Sequence, residues 1–107
     1  SFSTNNSGGN RRIFIGDDYN ESIGSNEGVI KMYNDRNETV FTLSSSTSNH
    51  AMISMFGDDS FKNVFIQPGS IYVGSPTQSD GYSYETEITG KGIRLYRSGV
   101  LMKEFKI

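Results

Sequence analysis

A strand-turn-strand unit occurs twice in this chain and sets the terms for any fold it can adopt. Residues 28–33 (Gly-Val-Ile-Lys-Met-Tyr) lead through a polar turn at 34–37 into residues 40–43, Val-Phe-Thr-Leu. Residues 92–96 (Gly-Ile-Arg-Leu-Tyr) lead through Arg97, Ser98 and Gly99 into residues 104–107, Glu-Phe-Lys-Ile. Both copies read isoleucine, basic residue, large aliphatic or sulfur residue, tyrosine, turn, phenylalanine, polar residue, aliphatic residue. A lone hairpin cannot bury its own apolar face. It must pair with further strands, pack on a second sheet or stack on another chain.

Composition sharpens that demand. At 107 residues the chain is one domain or part of one, and 34% of it is hydrophobic. Typical domains reach roughly 45–50%, counting Gly. Ser, Asn, Thr, Asp and Gly make up the difference, while the net charge is only −2 and there are six Tyr and seven Phe. Low charge with many aromatics argues for order rather than disorder. An ordered chain with so thin a core is expected to draw part of its burial from partner subunits. There is no Cys, so disulfides cannot supply the missing stability, and oligomerisation in a reducing cytoplasm fits better. Scattered Lys and Arg offer no footprint for nucleic acid or an anionic membrane, and no apolar run reaches the roughly 20 residues that span a bilayer. Three Asn-x-Ser/Thr triplets, at Asn5, Asn20 and Asn37, are expected by chance in a chain this rich in Asn and Ser.

Residues 1–11 have the composition of a flexible linker from an upstream region. The single all-β domain is expected over 12–107. Candidate strands are 12–16, 28–34, 39–44, 51–56, 61–67, 70–74, 82–88, 92–97 and 100–107, none with a helical apolar stripe. Pro68-Gly69 suits a type II turn, and Asp80-Gly81 and Ser98-Gly99 are hairpin dipeptides. Alternation puts Ile30 and Met32 opposite Lys31 and Tyr33, and Ile93 and Leu95 opposite Arg94 and Tyr96. The fold class is all-β, with short antiparallel strands in a β-sandwich or an intertwined trimeric structure.

Several residues carry candidate chemistry. Asp17, Asp18, Asn20 and Glu21 offer clustered oxygen ligands of the kind Ca²⁺ takes, in a spacing that is not an EF-hand; the same residues also build turns, as do Asp58 and Asp59. His50, the only histidine, lacks the context of a nucleophile elbow. Asp80, Glu85 and Glu87 with neighbouring tyrosines are the residues a glycan-cleaving site would use. A binding face is the stronger reading. Tyr19, Tyr72, Tyr82 and Tyr84 stand beside Asn, Asp, Gln and Ser, and Asp80 lies among them. Such rings stack on sugars while short polar groups bond the hydroxyls. No catalytic residue, cofactor or resident metal is assigned, and the chain is read as a non-enzyme.

The Ser/Asn/Gly-rich lead-in at 3–10, the serial short strands ending in Gly-Asp-Asp or Gly-Ser turns, the lack of Cys and the closing segment 92–107 together resemble the C-terminal pieces of bacteriophage tail fibres and baseplate receptor-binding proteins. Segment 92–107 is similar to the closing hairpin of tail proteins from phages of Gram-positive hosts. That resemblance implies a homotrimer in the virion tail tip, assembled in the host cytoplasm, contacting other tail or baseplate proteins and binding a host-wall glycan. The alternatives are a monomeric carbohydrate-binding sandwich and a glycan-cleaving tailspike domain.

Overall fold

The computed structural model describes residues 2–21, 24–45, 50–57 and 62–107. Ten strands form one antiparallel sheet: β1 (Phe2–Asn5), β2 (Arg11–Asn20), β3 (Ser25–Tyr33), β4 (Thr39–Ser45), β5 (Ala51–Phe56), β6 (Lys62–Gln67), β7 (Ser70–Ser75), β8 (Tyr84–Thr89), β9 (Gly92–Arg97) and β10 (Val100–Lys106). Spatial order follows chain order from β1 to β10, so every strand pairs with its sequence neighbours.

The turns behave as their residues dictate. Ser98 and Gly99 both take positive φ, 48° and 81°, the two-residue connection whose twist matches flanking strands. Gly69 follows Pro68 at φ 89°, as a type II turn requires. Nine of the expected strands are present, and the all-β class holds. Two expectations are corrected. The stretch expected to be a linker contributes β1, which pairs with β2 from Phe2↔Ile15 to Asn5↔Arg11. An edge strand needs little burial, so a Ser/Thr-rich segment can fill it by backbone bonding alone. The sandwich is not formed within the chain, because all ten strands share one sheet with no second layer among the described residues.

Register makes the two faces chemically different. Through the middle of the sheet runs a cross-strand row of Phe2, Ile15, Ile30, Leu43, Ile53, Ile66, Ile71, Ile88, Ile93 and Phe105, one apolar residue from every strand. Beside it lies a second row of Thr4, Ile13, Met32, Phe41, Met55, Val64, Val73, Thr86, Leu95 and Lys103. Alternation puts both rows on one face, the apolar face. The corresponding row on the reverse reads Ser3, Phe14, Lys31, Thr42, Ser54, Phe65, Tyr72, Glu87, Arg94 and Glu104. Bound charges sit there: Lys31 with Asp18, and Arg94 with Glu104 at 2.5 Å and Glu87 at 3.5 Å.

Burial is inverted relative to a globular domain. Val29 and Ser54 are the buried residues of note, and both lie on the mixed reverse face, where large neighbours cover small ones. Gly74 is buried beneath the Tyr72 ring in the same way. On the apolar face Ile15, Met32, Val73 and Phe105 stay exposed, Phe105 by 61%. The radius of gyration is 16.3 Å, against about 13 Å for a compact domain of this length. The accessible surface is 7171 Å², against about 5,900 Å² for a folded monomer of this mass. Extents of 46 × 35 × 21 Å describe a slab. What holds it is in-plane backbone pairing and lateral side-chain contact, not an enclosed core.

Gly92 opens β9 at φ 149°, and a Cβ there would clash with the Phe105 carbonyl oxygen, whereas a Cβ at Gly90 meets nothing. Gly92→Ala should therefore lower stability in urea unfolding by about 1–3 kcal/mol. Gly90→Ala should leave the midpoint within about 0.5 kcal/mol of the parent.

Candidate functional site

The connection between β7 and β8, residues 76–83, is built by local hydrogen bonds. Gln78 N–H donates to the Tyr82 carbonyl at 2.8 Å and Gly81 N–H to the Gln78 carbonyl at 3.0 Å. Asp80 anchors the loop with both carboxylate oxygens, one accepting from Tyr82 N–H at 2.9 Å and the other from the Tyr84 hydroxyl at 2.5 Å. Ser98 N–H donates to the Ser83 carbonyl at 2.8 Å, tying this loop to the β9–β10 turn. Tyr84 pairs with Arg97 across β8 and β9, and Arg97 with Val100. They form a short further row beside the two apolar ones. The Arg97 guanidinium lies over the Tyr82 ring, 4.4 Å from its centroid.

The result is an exposed ledge of Asp80, Tyr82, Tyr84 and Arg97 at one margin of the apolar face, with both rings about 40% exposed. The Tyr84 hydroxyl, followed by Tyr82 N–H, holds the Asp80 carboxyl below its ordinary 3.8. The same bond raises the Tyr84 phenol above 10.0. Asp80 therefore stays an ionised acceptor throughout the neutral range, and Arg97 supplies guanidinium donors. Ring faces beside fixed donors and acceptors can stack a sugar and bond its hydroxyls; nothing in the ledge activates a nucleophile.

Three of the five candidate glycan residues, Asp80, Tyr82 and Tyr84, thus come together, and two do not. Tyr72 projects from the opposite face, where burial first and the Glu85 carboxylate second raise its phenol. Tyr19 is exposed near the end of β2, about 29 Å from β8 at the usual strand spacing. The candidate cation ligands are dispersed for a related reason. Asp17, Asp18 and Asn20 lie within β2 rather than in a turn, so Asp17 and Asp18 point to opposite faces, and Asp18 is paired with Lys31. Glu21 lies just beyond the strand. Asp58 and Asp59 fall outside the described residues.

The candidate acids of a cleaving site are also separated. Asp80 belongs with the apolar-face ledge, while Glu85 and Glu87 lie on the reverse face opposite Tyr96 and Arg94. His50 lies 3.3 Å from the Gln67 side-chain oxygen. Arg97 was not singled out by its sequence, in which it reads as a turn residue. Its role depends on a partner fifteen positions away, and no local pattern signals that. Comparison with known proteins adds no assignment: no family model, curated protein or solved structure matches this chain.

Because Asp80 has a lowered pKa, the Asp80–Tyr84 contact is complete above the ordinary carboxylate value. It is lost as pH falls through the depressed one. Asp80→Asn should return the Tyr84 phenol toward 10.0, read by NMR titration of the tyrosine ring signals. An unchanged Tyr84 titration would show that the hydroxyl bond is not made in solution.

Proposed function

We propose that this chain is a structural and attachment domain of a bacteriophage tail fibre or baseplate. It works as a homotrimer, with the Asp80–Tyr82–Tyr84–Arg97 ledge meeting host-wall carbohydrate. The observation that carries the reading is an apolar row crossing all ten strands with no layer over it among the described residues. A face of that extent on a chain with almost no interior of its own has the form of an assembly element, since exposed contiguous apolar patches mark interaction surfaces. A self-sufficient carbohydrate-binding sandwich would enclose its apolar rows between two sheets, and this chain contributes one. The phage setting and the threefold stoichiometry come from the segment resemblances, and the ledge supports contact with a neutral glycan. No catalytic role is assigned.

Light scattering on the purified domain, diluted from micromolar to nanomolar, tests the assembly. The expected particle has three times the 11.9 kDa protomer mass and persists on dilution; a folded monomer throughout overturns the reading. For the ledge, Tyr82→Ala should weaken binding to host-wall polysaccharide about tenfold, the loss corresponding to about 1.4 kcal/mol. Tyr19→Ala should leave it unchanged, and equal losses from both would remove the ledge from the site.

A further inference from the structure

The self-association just proposed leaves open which surface the copies use, and a single open sheet has two options: its edges and its faces. The edges carry features that block continuation. β10 holds Lys103 and Lys106 and a register irregularity between Leu101 and Lys103, while β1 is four residues long with a register shift after Thr4. Charged residues, irregular pairing and short length are how sheets resist edge-to-edge growth. The mixed face is disfavoured for another reason. Its central row carries Lys31, Glu87, Arg94 and Glu104 in local ion pairs, and covering them with a second sheet costs desolvation.

We infer that copies of this chain meet through the apolar face, sheet against sheet, with the row from Phe2 to Phe105 at the centre of the contact. The inference rests on the self-association reading above and specifies its interface. That row contains no charged residue; the rows flanking it carry Lys103 on the outermost strand and Asp17 on β2. The slab is 46 Å long and its strands are about 20 Å across, so the whole face, ledge margin included, spans about 900 Å² per copy, which in a trimer is divided between two neighbours.

The occupant is another copy because the face has complementary relief. On the side of the central row away from the ledge short residues predominate: Asp17, Gly28, Ser45 and Ala51 in the strands, then the Pro68–Gly69 and Gly90–Lys91 turns. They leave two open, mainly apolar grooves of about 410 and 350 Å³ against Ile15, Ile30 and Leu43 and against Ile66, Ile71 and Ile88. A ridge of large side chains beside a trough on the same face lets the ridge of one copy seat in the trough of the next. Sheet-on-sheet packing of this kind places layers about 10 Å apart with interdigitated side chains.

The chain has no Cys, which makes site-directed cross-linking unambiguous. Single variants Ile71→Cys and Ile88→Cys on the apolar row, Thr42→Cys on the mixed face and Ser3→Cys on the edge strand are treated with a short bis-maleimide. Cross-linked oligomers from the first two alone support the inference. Cross-linking confined to Ser3→Cys or Thr42→Cys, in a protein that still scatters as an oligomer, overturns it while leaving the assembly reading intact. Monomeric parent protein overturns both. As a second readout, Ile71→Lys with Ile88→Lys should weaken self-association at least about a hundredfold, since two charges would be buried unpaired. Strand content by circular dichroism should be retained. An undiminished oligomer in the double variant removes the apolar face from the interface.

Discussion

Register between consecutive hairpins is the constraint on which the rest of this structure depends. Side chains alternate faces along a strand, so a one-residue slip anywhere would send a strand's apolar set to the opposite side. Across nine successive pairings that slip does not occur, even though four of them contain a bulge or irregularity. The two related hairpins show how this is achieved. In β3–β4 the phenylalanine of the repeat, Phe41, stands opposite Met32, whereas its counterpart Phe105 stands opposite Ile93. The two loops differ in length and shift the pairing by two residues, an even step. The face is preserved and only the position along the strand changes.

A sheet held this way is stabilised mainly within its own plane. Cross-strand neighbours on each face supply contacts worth a few tenths to 1 kcal/mol per pair, and the exposed ion pairs add little. The burial that normally dominates folding is almost missing among the described residues, with Val29, Ser54 and Gly74 as the buried exceptions. The ion-paired charges lie on the mixed face, and aliphatic side chains and phenylalanines fill the central row of the other. That division is the physical content behind the assembly proposal. Among the described residues the apolar face is left without a covering layer.

The aromatic ledge follows from the same architecture. Asp80 is positioned by a loop whose ends are set by β7 and β8, and Tyr84 and Arg97 meet because their strands are adjacent. Its polar groups satisfy one another when nothing is bound, and the rings remain accessible. A preorganised surface of that kind loses little freedom on engaging a ligand. Its location at the margin of the apolar face sets the proposed attachment site to one side of the stripe proposed to hold copies together.

Much of the fold was legible in the sequence. Turn dipeptides and β-branched runs marked nine strands, and Ile30, Met32, Ile93 and Leu95 announced which residues would share a face. The thin apolar content and absent Cys announced the lack of a self-contained core. Local signals failed at β1, where an edge strand needs only backbone partners that composition does not reveal. They failed too in treating Asp17, Asp18, Asn20 and Glu21 as one cluster, because a strand longer than expected divides neighbours between faces. Tertiary structure alone decided that all ten strands would lie in one sheet, that ten separate apolar residues would align into a single row, and that Arg97 would cover Tyr82. Each depends on contacts between residues distant in sequence, whose registers are chosen by the whole set of pairings rather than by any one segment.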